Sequence, residues 1–135
     1  MFTVSPVRHT KDGIVENQLS KSKLLTAIHE SISGKENCSY LPVYEILMDD
    51  LRDYRFYKDD LIHPNSQAVQ YIWEKFGNAY FSDETKVFIN DNNKIIAALK
   101  HKTDDDKNPK YQEFRNKIDL KIKEQQKKVK HKIFS

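Results

Sequence analysis

The sequence predicts an incomplete α/β body followed by a helical tail. Three observations predict it. Apolar residues alternate in a strand-like way near the N-terminus and change to helical spacing further on. Charge divides unevenly along the chain: residues 1–99 hold 11 Lys/Arg and 14 Asp/Glu, a net of −3, while residues 100–135 hold 12 and 6, a net of +6. An apolar seam at helical spacing runs through that last part. The chain has 135 residues, which points to one domain. The expected division is a partial domain over 1–99 and a charged linker with a basic amphipathic helix over 100–135.

Residues 2–8 open with Phe2 and Val4 in alternation and suit a strand ending near Pro6. Lys11-Asp12-Gly13 marks a turn. A helix is predicted over about residues 19–33, because Leu24, Leu25, Ile28 and Ile32 share one face. Ser20 is its candidate N-cap, and Gly34 stands where a helix end wants positive φ. Residues 38–43, with Pro42 among them, form a short strand or an extended approach to a helix. Tyr44, Leu47, Met48 and Leu51 predict a helix over about 44–52. Residues 53–64 have no clean period and read as a long loop. Pro64 marks its end. Asn65 or Ser66 then caps a helix whose inner face is Ala68, Val69, Ile72, Trp73 and Phe76.

This order is α/β in character, with at most two or three strands. So small a parallel sheet leaves edges and faces uncovered. Either the body packs on something else, or it belongs to a larger α/β domain. The uncovered edge also predicts self-association. In the tail, residues 102–109 read as a charged linker. Tyr111, Phe114, Ile118 and Ile122 then recur at helical spacing, and Val129 and Ile133 extend the stripe.

Several function classes are excluded early. The longest apolar run is only residues 95–99, against about 18 residues for a membrane span. Residues 1–10 lack the apolar core of a secretory signal, so a cytoplasmic location is expected. Cys38 is the only cysteine, which excludes an internal disulfide and a thiolate metal cluster. Gly13, Gly34 and Gly77 are the only glycines, too few for a phosphate-cradling loop. The acidic body offers no nucleic-acid footprint. The basic Lys127, Lys128, Lys130 and Lys132 lack stacking aromatics apart from Phe134. The plain reading of the tail is a solvated helix packed on the body or a neighbour; no nucleic acid and no membrane partner is expected.

Titratable and aromatic groups concentrate in residues 53–65 (D-Y-R-F-Y-K-D-D-L-I-H-P-N). The spacing of Asp60 and His63 is its most informative feature. In one turn, side chains at i and i+3 can face each other. The carboxylate then orients the imidazole and leaves its second nitrogen free as a general base. The alternative is an Asp that caps backbone N–H groups beside an incidental His. A metal set built on Asp59, Asp60 and His63 lacks a further ligand at usual spacing, so no metal and no cofactor is expected. Arg8 and His9 are candidate substrate-lining groups, Arg8 by gripping a carboxylate or phosphate. An ion pair of Arg8 with Glu45 or an aspartate of the 49–60 cluster is the competing role. Arg55 and Tyr57 either line the pocket or brace the loop. Ser5 precedes Pro6, lacks a nucleophile elbow, and reads as strand-end structure.

The runs T-V-S-P-V-R-H (residues 3–9), S-K (20–21), Y-L-P-V-Y-E-I (40–46) and D-L-R-D-Y-R-F-Y-K-D-D-L-I-H-P (50–64) closely resemble the GSCFA family, which is related to SGNH-type serine hydrolases. The resemblance spans about residues 2–76. It implies the C-terminal portion of a three-layer SGNH/flavodoxin-like domain. It makes Asp60 and His63 the family's late D-x-x-H block, with His63 as base and Asp60 as its orienter. The naming motif G-S-C-F-A and its nucleophilic Ser do not occur in this sequence, nor do the early Gly and Asn blocks that supply oxyanion donors. The resemblance therefore implies the C-terminal part of a hydrolase, inactive by itself. The parent's substrate would be an ester of a small molecule or carbohydrate. The competing reading is a non-catalytic interaction or scaffold protein whose basic tail docks on a partner.

Overall fold

The computed structural model describes residues 1–100 and 108–134. They fold as two compact units, Met1–Tyr80 and Phe81–Ser135. Residues 81–99, which the sequence reading places with the body, lie in the second unit.

In the first unit, the N-terminal segment is extended and meets residues 39–41 in one isolated parallel bridge, Phe2 with Tyr40. The Phe2 N–H donates to the Ser39 carbonyl at 2.7 Å, and the Leu41 N–H to the Phe2 carbonyl at 2.8 Å. Helix α1 (Ile14–Ile32) connects the two segments. It starts five residues before the expected start at Leu19, so Ser20 lies inside it rather than capping it. Gly13 at φ 95° precedes its first turn. At the other end Gly34 takes the positive φ of 71° anticipated there.

The α/β expectation is corrected here. Among the described residues the fold is helical, and no sheet and no three-layer arrangement forms. Proline explains part of this. Pro6 and Pro42 have no N–H to give a ladder, and each stands a few residues beyond the bridge. Past Pro6 the extended segment turns to a different partner: the Arg8 N–H donates to the Ile62 carbonyl at 3.4 Å.

Helix α2 (Val43–Glu45) runs directly into a π-helical turn (Ile46–Asp50). There the Leu51 N–H reaches back five residues to the Ile46 carbonyl at 3.0 Å. This widened turn presents Leu47, fully buried, and is followed by Leu51, at 4% exposure. Together with Phe56, Tyr57 and Ala68 they make the core of the unit, with Met48 and Tyr71 packed against it. Helix α3 (Ser66–Tyr80) closes the core. It starts where the sequence indicates, but its buried face is rotated. Ala68 is fully buried, whereas Val69 and Trp73, expected inside, are 55% and 46% exposed. The Tyr71 hydroxyl donates to Asp50 Oδ2 at 3.0 Å, and Lys75 pairs with the same carboxylate at 3.7 Å. These contacts turn the Ala68–Tyr71–Lys75 side toward the π-helical turn.

In the second unit, helix α4 (Asp83–Lys100) packs on helix α5 (Pro109–Gln126). Ile95 and Ile118 are buried at 2% and 5% exposure. Ser82 Oγ accepts from the Thr85 N–H at 3.2 Å. Asn108 caps α5 through the Lys110 N–H, with Pro109 opening the first turn. The expected linker over 102–109 falls mostly outside the described residues. The expected stripe stops short. Gln126 ends α5 and folds the following residues back, accepting from the Ile133 N–H at 3.1 Å and donating to the His131 carbonyl at 2.8 Å. Among the described residues, no helix is long and apolar enough to cross a membrane.

Leu47 is the test of the first unit's core. Leu47→Ala removes a side chain with no exposed surface and should destabilise the unit by about 2–5 kcal/mol. Urea unfolding followed by tryptophan fluorescence, which reads Trp73, measures the loss.

Candidate functional site

The 53–65 segment is short of regular structure but not of hydrogen bonds. Asp53 accepts from the Arg55 N–H at 2.8 Å and caps a 3-10 turn (Tyr54–Phe56). That turn sinks Phe56 and Tyr57 into the core. The chain then doubles back, with Tyr57 and Pro64 in an isolated antiparallel bridge. The Lys58 N–H donates to the His63 carbonyl at 2.8 Å. Asn65 joins this loop to α3. Its Nδ2 donates to the Arg55 carbonyl at 2.6 Å, and its Oδ1 accepts from the Ala68 N–H at 3.1 Å.

Asp60 and His63 stand at the tip of this doubled-back segment. Asp60 Oδ1 accepts from the N–H groups of Ile62 at 2.8 Å and His63 at 2.9 Å. Asp60 Oδ2 lies 2.8 Å from His63 Nδ1. One oxygen thus takes the backbone N–H groups and the other faces the imidazole. Leu61 between them has φ 55°, a left-handed conformation that side chains other than Gly rarely adopt.

The carboxyl of Asp60 is held down to about 2. The backbone N–H of His63 is the largest cause, followed by the Ile62 N–H and the imidazole. An ionised carboxylate can only accept, so the proton between the two side chains sits on Nδ1. In the neutral imidazole, Nε2 then carries the free lone pair. Among the described residues, Nε2 has no hydrogen-bond partner. Both side chains are well exposed, 52% for His63 and 42% for Asp60.

The other sequence-selected residues divide. Arg8 is brought to the loop: its Nη1 donates to the Leu61 carbonyl at 2.9 Å, and its guanidinium lies 4.5 Å from the Tyr57 ring centroid. The alternative ion pair with Glu45 or an aspartate is not formed. Arg8 and Tyr57 together line a cavity of about 190 Å³. Arg8 and His9 line a second, of about 300 Å³. His9 Nδ1 pairs with Asp12 at 3.5 Å. Arg55 is not gathered with them; its guanidinium rests 4.9 Å from the ring of its neighbour Phe56. Ser5 Oγ accepts from the Val7 N–H at 3.2 Å and serves the local turn. His63 lines neither cavity.

Lys21 was not selected from sequence, yet it is buried at 9% exposure beside Arg8 in the larger cavity. A signal for it exists. Lys21 precedes Leu24, Leu25 and Ile28 by three, four and seven residues, which places it on the apolar face of α1.

The model of the GSCFA family matches residues 1–76, which include every candidate residue above. No curated protein and no solved structure matches the chain.

The Asp60 carboxylate gives a pH test with a definite sign. Its folded pKa lies below the ordinary 3.8. Its support for the turn is thus present above 3.8 and is lost as pH falls through about 2. The side-chain carbon resonance of Asp60 should titrate near 2, with the Ile62 and His63 amides reporting the same midpoint. A midpoint at 3.8 would mean that the two backbone bonds do not persist in solution.

Proposed function

The chain belongs to the GSCFA family, and from that premise we propose that it carries the acid–base part of an ester hydrolase. The observation that carries the reading is the His63–Asp60 contact of 2.8 Å with Nε2 left open. In the proposed reaction, Nε2 takes the proton of a serine hydroxyl as its oxygen attacks the acyl carbonyl. Asp60 balances the imidazolium so formed and keeps the ring in place. The imidazolium then gives the proton to the departing alkoxide. The acyl group stays on the serine oxygen. Nε2 then takes a proton from water as the water oxygen attacks that acyl carbon, and returns it to the departing serine oxygen, freeing the acid.

The nucleophile and the oxyanion donors come, on this reading, from polypeptide outside the 135 residues. The G-S-C-F-A sequence that would hold the serine is not in this chain. The substrate is an acyl ester of a small molecule or a carbohydrate. Arg8, His9 and Tyr57 are proposed to meet it, with Arg8 and Tyr57 at the centre because they share a cavity; Arg55, set apart on the Phe56 ring, braces the loop.

Two measurements with p-nitrophenyl acetate test this. The purified 135-residue chain should show no serine-dependent turnover, since the main electrostatic terms of acyl transfer are missing; turnover by that chain alone would overturn the placement of the nucleophile. A chimera that joins the G-S-C-F-A-bearing part of a family member ahead of this chain should hydrolyse the ester. In it, His63→Ala should lower kcat/KM by about 10²–10⁴-fold. Undiminished turnover would remove His63 from the mechanism.

A further inference from the structure

The larger cavity is rich in hydrogen-bond donors and holds positive charge without a counterion. Lys21 is the centre of this imbalance. The residue is buried, at 9% exposure, and its ammonium, part-buried at the end of the side chain, donates once, to the Ser5 carbonyl at 2.6 Å. An ammonium has three N–H donors, so two remain. Among the described residues, neither Lys21 nor Arg8 has a carboxylate at ion-pair distance; the nearby Asp12 is engaged by His9. Burial pulls the Lys21 pKa down from its usual value, as it does for an ammonium that lacks a compensating charge.

The neutral groups add to the same pattern. Asn17 and Gln18 both line the cavity. Asn17 Oδ1 accepts from the His9 N–H at 2.7 Å, and Gln18 Oε1 accepts from the Tyr44 hydroxyl at 3.1 Å. Each amide thus has its acceptor occupied and its NH₂ left over. Ile14 and Met48 supply apolar wall. At about 300 Å³ the cavity is in the range of small-molecule sites.

We infer that this cavity is a binding site for a small organic carboxylate. The carboxylate sits against Lys21 and the free edge of Arg8, with the amides of Asn17 and Gln18 as further donors. Its apolar part rests on Ile14 and Met48. Charge-assisted bonds of this kind are the strong ones, and here they replace a missing counterion. The site shares Arg8 and His9 with the proposed ester pocket, but the inference is read by binding to the intact chain and needs no turnover.

Benzoate is the probe, with benzamide as its neutral match and inorganic phosphate as the bare anion. Binding to the full chain is followed by NMR through the Ile14 and Met48 methyl groups. Benzoate should bind at least about tenfold more tightly than benzamide and more tightly than phosphate. Lys21→Met should weaken benzoate by about tenfold or more. Gln18→Glu alters an exposed position and puts a carboxylate of the protein's own beside Lys21; it should weaken benzoate similarly while the fold is kept. Equal affinity for benzoate and benzamide, or undiminished benzoate binding in Gln18→Glu, would overturn the site. Tighter binding of phosphate would overturn the ligand class.

Discussion

The turn over residues 58–63 depends on one carboxylate. Asp60 holds the Ile62 and His63 N–H groups with one oxygen and the imidazole with the other. Those two N–H groups follow Leu61, whose left-handed backbone is costly for a side chain of its size. An ionised acceptor bonding to backbone donors is the strongest local means of holding such a peptide. The same ionised state dictates which imidazole nitrogen carries the proton. The local backbone and the tautomer of His63 therefore rest on one charge. Since that charge is exposed to water, its ion pair with His63 contributes little stability. The turn relies as well on its backbone bonds, Lys58 to His63 and Leu61 to Lys58.

Neighbouring elements fix the turn in space. Asn65 ties the loop carbonyl of Arg55 to the first turn of α3 with a single side chain. Phe56 and Tyr57 anchor the loop in the core built around Leu47. Arg8 approaches from the N-terminal segment and takes the Leu61 carbonyl while stacking on Tyr57. Residues far apart in sequence thus converge on the strained peptide. The π-helical turn has a part in this, because its extra residue per turn sets Leu47 and Leu51 against the loop and α3 together.

Short-range contacts were more legible in the sequence than the fold was. Pro64 and Asn65 announce the start of α3, and a one-turn D-x-x-H spacing announces a facing carboxylate and imidazole. Both depend on contacts a few residues apart. Extended backbone was legible too, but a sheet requires partners that local pattern does not specify. The alternation of Phe2 and Val4 therefore indicated a strand, and the chain formed one bridge. The rotation of α3 was hidden for a similar reason. Its apolar residues cover more than one face, and the side chosen is set by Asp50 acting on Tyr71 and Lys75. Helix α4 was passed over because its apolar positions are interrupted by the polar run Asn90 to Lys94. Its Ser82 cap, an oxygen three residues ahead of the accepted N–H, was the overlooked sign.

Lys21 shows where the first unit gives up stability. A part-buried ammonium loses some of its hydration, and one carbonyl oxygen recovers only part of that loss. An apolar residue of similar length would fill the space without the penalty. The charge that stays is attached, through the Ser5 carbonyl, to a segment that reaches Arg8 three residues later. Pro6 lies between them with its φ fixed by the ring. Ser5 is held by Lys21 and Arg8 holds Leu61, so a link of four residues joins the Lys21 ammonium to the turn that carries His63. The Lys21 ammonium holds one end of that link, and the Leu61 carbonyl holds the other. The partly compensated charge at α1 and the strained peptide beside His63 are thus two ends of the same short piece of chain.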